Sequence, residues 1–425
     1  MNTALAGLAP VRGVLANGVR LMAKESRTTP AVTLHAAVHA GTIYDPPAQD
    51  GVAQFIARTI DRGTTTRSAD EIAEELDSRG VSLAVSVNRH AITLVCTCLV
   101  EDFGAILSLL ADIIMAPAFP EAEVETRRSE LVTMIRQDED NPASVAAETL
   151  MAELYGAAHP YGRRPRGTVE SVESITRAAL QSFHASRFVP GALSLVMVGD
   201  IEPGRALAMA TDAFGEWRGP AVESVDLPLP SPATTRRTRV VPMMNKAQAD
   251  LAYGFTSILR SDPAYYAFWL MNNILGQYSI GGRLGDSIRE RQGMAYYVFS
   301  SLDANVIPGP LWIRAGVNPS NVERAVASID AELTRFTADG PTEREMAESL
   351  QYLIGAMPRQ LETNTAIANF LQTVEFFGLG LDYDLRVPAL LRAVTRDDLI
   401  AAARRVLDPA RATVVVAGPY NGTLS

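Results

Sequence analysis

Two groups of side chains in this 425-residue sequence have types and spacings that invite chemistry. One is a set of five histidines and two cysteines; the other is a pair, Arg289 and Tyr296. Metal chemistry requires several imidazole or thiolate donors gathered around one ion. Cys96 and Cys98 lie two apart in the strand-like run AITLVCTCLV. There they share a face of the core, without the second cysteine pair a zinc site uses. His35 and His39 are four apart, which on a strand is about 13 Å, too far to share one ion. His90, His159 and His184 stand alone in the sequence and read as structural.

Arg289 and Tyr296 lie in SIGGRLGDSIRERQGMAYYVFS. Gly282 to Gln292 reads as a helix, with Gly293 suited to the left-handed position beyond its end. Met294 onward reads as a strand. Arg289 then falls in the last helical turn. Tyr296 is the third strand residue, on the face shared by Met294 and Val298. The turn can bring the two polar tips together. The plainer alternative pairs Arg289 with Glu290 or Asp286 and leaves Tyr296 half-buried in the core.

The elements that hold this pair belong to an internal duplication. ITRAALQSFHASRFVPGALSLVMVGD, from Ile175, aligns without a gap on VTRDDLIAAARRVLDPARATVVVAGP, from Val394. Thr176 falls on Thr395, Arg177 on Arg396, Leu180 on Leu399, Pro190 on Pro409 and Gly199 on Gly418. Each copy reads as a capping threonine, a helix, a proline turn and a buried strand closed by glycine. A second match sets LDSRGVSLAVSV (Leu76–Val87) beside RERQGMAYYVFS (Arg289–Ser300). In that alignment Leu76 and Leu83 occupy the places of Arg289 and Tyr296, so duplication alone does not account for the polar pair.

Between the copies lies GPAVESVDLPLPSPATTRRTRVVP, Gly219 to Pro242, whose prolines with Ser and Thr predict an extended, semi-rigid linker. The expected organisation is 1–218, linker 219–242, and 243–425 carrying the Arg/Tyr pair. Within each half strands alternate with helices and long helices follow, which suits antiparallel sheets covered by helices better than a doubly wound parallel sheet. The expected class is α+β, duplicated.

Composition narrows the function. Hydrophobic residues are 47% and charged residues 20% of the chain, the balance of a globular protein. A net charge of −10, from 38 Lys+Arg against 48 Asp+Glu, excludes the basic footprint of a nucleic-acid binder. No apolar run approaches the roughly 18–20 residues of a spanning helix. The opening MNTALAGLAPVRGVLANGVRL lacks the pattern of a signal peptide. The expected compartment is the bacterial periplasm for a mature form whose signal has been removed, and otherwise the cytoplasm.

GVAQFIARTIDRGT, Gly51 to Thr64, has its apolar residues Val52, Phe55, Ile56 and Ile60 on one stripe of a short helix. With the AVHAG strand before it, this stretch resembles the inverted zinc motif of pitrilysin and the mitochondrial processing peptidases. That family carries H-x-x-E-H here, two histidines one turn apart for a zinc and a glutamate to serve its bound water as base. In this sequence the histidine positions are Gln54 and Arg58 and the glutamate position is Ala57. Matching the family's later pattern on IRQDEDNP puts the third ligand at Met134. Gln is a poor zinc ligand, Ala takes no proton, and Arg58 sets a fixed charge where the cation would sit. The resemblance covers nearly the whole chain, including HPYG at His159–Gly162, VGD at Val198–Asp200, and the run around Arg289, which is close to the family's S-R-L-x-x-x-L-R-E-x-x-G-L-A-Y.

The resemblance implies that Arg289 and Tyr296 face a zinc across a peptide-sized chamber. There Arg289 would grip a substrate carbonyl and the Tyr296 hydroxyl would stabilise the developing oxyanion. It implies a clamshell of two similar halves, no metal cofactor in this chain, and zinc in a partner. The expected function is that of a non-catalytic subunit, inactive alone. It would pair with a paralogue bearing H-x-x-E-H and act on unfolded peptides, with strand Val81–Val87 an edge on which a substrate strand could add. The alternative is a scaffold with no part in chemistry, like the core subunits of a respiratory complex. The short loop GQYSIGGR (Gly276–Arg283) favours a bacterial type of partner.

Overall fold

The computed structural model describes residues 7–223, 225, 227–277 and 282–423. The first sheet contains β1 (Val11–Val14), β2 (Arg20–Glu25), β3 (Ala31–Val38), β4 (Ala84–Val87), β5 (Ile92–Leu99) and β6 (Leu193–Gly199). The second contains β7 (Arg237–Pro242), β8 (Ala249–Thr256), β9 (Ala295–Leu302), β10 (Pro310–Val317) and β11 (Thr413–Gly418). Their strand orders are β1-β2-β6-β3-β5-β4 and β7-β11-β8-β10-β9. Apart from the extra β1, each step in one sheet has its counterpart in the other. The class is α+β, with two sheets covered by helices. Each sheet is antiparallel except for one parallel pair, β2 with β6 and β7 with β11.

The repeated segments fold alike for the reasons their residues give. Thr176 accepts a hydrogen bond from the Ala179 amide and starts the helix Arg177–Arg187. Thr395 does the same with Asp398, in a reciprocal capping box, for the helix Arg396–Val406. A 3-10 turn opened by proline follows each helix, at Pro190–Ala192 and Pro409–Arg411, and leads into β6 or β11. These two strands are buried along their whole length and read as near-continuous apolar runs because both their faces are covered.

What covers the second face departs from the contiguous halves that the sequence suggests. Two compact units emerge: residues 1–136, 164–226 and 357–385, and residues 137–163, 227–356 and 386–425. In the first unit, Val196 and Val198 of β6 pack on Ile367, Ala368 and Leu371 of the helix Asn364–Phe377. Gln372 of that helix donates hydrogen bonds to the carbonyls of His35 and Ser194. In the second unit, the helix Pro142–Tyr155 lies on β8 and β11. Each sheet thus takes one covering helix from the other stretch of sequence.

The stretch read as linker is also shorter than expected. Arg237–Pro242 is β7, paired in parallel with β11. Pro242 is tolerated because β7 is an edge strand, with hydrogen-bonding neighbours on one side only among the described residues. Among the described residues no helix is long and apolar enough to cross a membrane. Of the loop Gly276–Arg283, residues 278–281 lie outside the described residues.

Candidate functional site

The zinc-motif positions lie on the helix Val52–Thr59. Asp45 anchors its start, accepting hydrogen bonds from the Gly51 and Ala53 amides at 2.7 and 3.0 Å. The stripe Val52, Phe55, Ile56 and Ile60 is wholly buried, as the spacing predicts. Gln54 and Arg58 sit one turn apart and partly exposed, while Ala57 faces the core. Met134 is partly exposed on the helix Glu121–Glu139, whose Leu131, Val132 and Ile135 join the same core. These side chains do not fit a zinc ion. They offer an amide, a thioether and a fixed guanidinium, whose Nε is itself buried without a hydrogen-bond partner among the described residues. Among the described residues no group of three or more His, Cys, Asp or Glu side chains is placed to hold a metal.

Four of the five histidines are engaged elsewhere. His184 Nε2 meets the Ile114 carbonyl at 2.8 Å. His159 accepts from the Tyr161 amide at Nδ1 and meets the Pro228 carbonyl at Nε2. His90 is not alone, as the sequence suggests. It and His39 both pack on Phe376, with ring centroids 5.5 Å away in each case. Phe376 comes from a helix far along the chain, so no local signal could show this cluster. Burial lowers the pKa of His35, His39, His90 and His184 alike, to about 4. Cys96 and Cys98 are free and buried, and burial pushes both thiols up to about 12.

The segment carrying Arg289 ends in the turn that the sequence predicts, but is wound differently. From Gly285 to Arg291 it is π-helical, a rare winding that is frequent at functional sites. Gly293 takes φ 60°, the left-handed conformation that turns the chain into β9. The amides of Gly293 and Met294 bond back to the carbonyls of Arg289 and Ile288 at 3.0 and 3.1 Å. The π-helical segment lies against β9, so Arg289 and Tyr296 ride on adjacent elements. Arg289 forms a loose ion pair with Glu290, Nε to Oε1 at 3.7 Å and too long for a hydrogen bond, while Asp286 pairs with Arg291 at 3.0 Å.

Tyr296 does not share the face of Met294 and Val298. Those two are buried, whereas Tyr296 is 64% exposed. The cause is a β-bulge. Val317 of β10 pairs with Ala295, and the next residue back, Gly316, pairs with Tyr297, leaving Tyr296 as the extra residue. A bulge breaks the two-residue alternation and re-aims a side chain, here out of the core on an edge strand. The sequence AYYV offers two adjacent phenols and no means of telling them apart. The structure separates them: Tyr297 donates to the Asp250 carboxylate, while no hydrogen bond to the Tyr296 hydroxyl is made among the described residues. The counterparts Leu76 and Leu83 are half-buried against the first core. The strand near Leu83, β4, lies at the edge of its sheet, as β9 does.

Residues 20–164 match the family described as Insulinase (Peptidase family M16), and residues 174–353 match the Peptidase M16 inactive domain. The chain belongs to peptidase family M16. The chain is 27% identical over 433 residues to an uncharacterised zinc protease of Mycobacterium tuberculosis, covering 99% of this chain and 95% of that protein. It is 24% identical over 414 residues to one of Streptomyces coelicolor, covering 96% and 89%. A solved peptidase M16 inactive domain from Pseudomonas fluorescens superposes with a TM-score of 0.90 at 24% identity, covering 98% of this chain and 99% of that one. A protease from Helicobacter pylori superposes equally well, with a TM-score of 0.90 at 16% identity, covering 97% and 100%. The M16 fold therefore extends through both sheets and the exchanged helices.

Proposed function

We propose that this M16 chain is the non-catalytic, substrate-binding subunit of a two-chain zinc metallopeptidase acting on unfolded peptides. It supplies Arg289 and Tyr296 to an active site whose zinc is held by a partner with H-x-x-E-H. The observation that carries this reading is the bulge at Tyr296. A bulge on an edge strand forgoes ladder bonds, and here it sends a large phenol into solvent while its neighbour Tyr297 is bound. A tyrosine needed only for packing would stay on the face of Val298.

The division of labour follows from the two sets of residues. Gln54, Ala57, Arg58 and Met134 can neither hold zinc nor take a proton from its water. Arg289 and Tyr296 keep exposed donors, one a guanidinium in a loose ion pair with Glu290 and the other a phenol. Those donors suit a substrate carbonyl in the ground state and its oxyanion in the transition state. Co-expression with a paralogue carrying the complete motif tests the reading. Hydrolysis of an unstructured fluorogenic peptide is expected from the mixture and from neither chain alone where the paralogue lacks its own Arg/Tyr pair. Chelator-sensitive hydrolysis by this chain alone would overturn it.

A further inference from the structure

The bulge needs something to hold it. Among the described residues β9 is an edge strand with only β10 beside it, and the ladder is interrupted at the residue whose direction matters. On the side toward the chain start, the left-handed turn at Gly293 fixes the approach. On the other side stands Tyr297. Its cross-strand partner on β10 is Gly316, and Gly316 pairs in turn with Asp250 on β8. Asp250, Gly316 and Tyr297 therefore form one row across three strands, on one face of the sheet.

Along that row the Tyr297 ring lies across Gly316 and its hydroxyl donates to Oδ1 of Asp250. Gln248 Nε2 contacts both oxygens of the same carboxylate at 3.2 Å. Asp250 is 3% exposed, and a carboxylate so buried is retained only where hydrogen bonds replace its water. The passage exists because Gly316 has no side chain. A Cβ there would stand 2.5 Å from Tyr297 Cε1 and 2.3 Å from Gln248 Nε2. Burial and the Asp250 carboxylate raise the pKa of the Tyr297 hydroxyl, which keeps it a donor at any physiological pH.

We propose that Asp250, Gly316 and Tyr297 form a cross-sheet strut that fixes the bulge on β9 and thereby aims Tyr296. Asp250 and Tyr297 are positioning residues: they act on the substrate only through the residue beside them. The inference rests on the reading of Tyr296 as an oxyanion donor. A strut of this kind matters because a reacting group displaced by about 1 Å can lose on the order of 10²-fold in rate.

Tyr297→Phe tests the strut, since the ring stays over Gly316 and only the hydroxyl is lost. In the isolated chain, hydrogen exchange of the backbone amides of residues 295–298 is expected to quicken about tenfold or more, with exchange elsewhere unchanged. In the assembled peptidase, with the fluorogenic peptide, kcat is expected to fall about tenfold with KM little changed. Asp250→Asn, whose amide oxygen still accepts from Tyr297, should be milder in both. The double variant Tyr296→Phe/Tyr297→Phe should be no slower than Tyr296→Phe alone. Unchanged exchange in Tyr297→Phe would show that the strut does not hold the bulge. Faster exchange with normal kcat, or additive losses in the double variant, would show that it does not aim Tyr296. If Tyr296→Phe itself were without effect, the donor reading would fall and the aiming with it. The exchange result would then still decide whether the strut holds the bulge.

Discussion

Arg283 grips Glu345 with two hydrogen bonds, Nε to Oε1 at 2.6 Å and Nη2 to Oε2 at 2.8 Å, while its guanidinium lies over the Phe336 ring. Glu345 also accepts from the Thr342 amide at 2.7 Å, so one carboxylate caps the helix Glu343–Gln360 and secures the segment leading to Arg289.

Burial opposes ionisation of Glu345, but the hydrogen bonds from Arg283 and Thr342 outweigh it and hold the carboxyl at about 2, below its ordinary 4.5. The pair's stabilisation is thus complete above about pH 4.5 and lost as pH falls toward 2. Glu345→Gln is expected to cost about 1–2 kcal/mol at pH 7, a figure reduced for the pair's partial exposure. Denaturant titrations at several pH values check this. The difference from the unaltered chain should shrink below pH 4 and nearly vanish at pH 2.

Acid should weaken the fold earlier than Glu345 alone would. Burial lowers His35, His39, His90 and His184 to about 4, against an ordinary 6.5. Between these values the unfolded chain binds protons that the folded chain refuses, so stability is full above pH 6.5 and falls as pH drops toward 4. Each ring contributes roughly 1–3 kcal/mol over that span. Guanidinium unfolding at pH 7.5, 6 and 5 should show a steep decline, and His184→Gln should lessen its slope. A pH-independent midpoint over this range would contradict the assignment.

The sequence is most informative where structure is local. Thr176, Thr395, Pro190 and Pro409 specify caps and turns from their own types, and the folded chain uses them so. Gly293 marks the turn into β9 for the same reason. The strand alternation that places Tyr296 with Val298 fails because a bulge depends on the pairing of two strands, and β9 alone does not record its register with β10. The exchange of the helices Pro142–Tyr155 and Asn364–Phe377 is hidden likewise. Their apolar stripes announce that they are buried, and nothing local tells against which sheet. His39 and His90 meet on Phe376 through that same helix.

The zinc positions can be tested by restoration as well as by analysis. The dialysed chain is expected to retain no stoichiometric zinc, because Gln54, Arg58 and Met134 offer no adequate donor set. The variant Gln54→His/Ala57→Glu/Arg58→His/Met134→Glu should bind about one zinc per chain. Metal analysis of both proteins decides the matter. About one zinc in the unaltered chain, lost on Gln54→Ala, would overturn the assignment of these positions.

Cys96 and Cys98 should be inert toward alkylating reagents at pH 8 in the folded chain, since burial pushes both thiols up to about 12. Mass spectrometry after iodoacetamide should find both unmodified, and both modified once guanidinium is added.

The most direct test of the account is Tyr296→Phe in this chain, with the zinc-bearing partner unaltered, measured as kcat and KM on an unstructured fluorogenic peptide. Loss of one oxyanion donor typically costs about 10²–10³-fold in rate, and because the bond is strongest in the transition state the loss should fall on kcat. Arg289→Ala should raise KM as well, since a guanidinium on a ground-state carbonyl contributes to binding throughout. The Tyr296 ring is preserved, so assembly by size-exclusion chromatography should be unchanged. A kcat within about twofold of the unaltered enzyme, with normal assembly, would contradict the account and leave this chain a scaffold without a part in the chemistry.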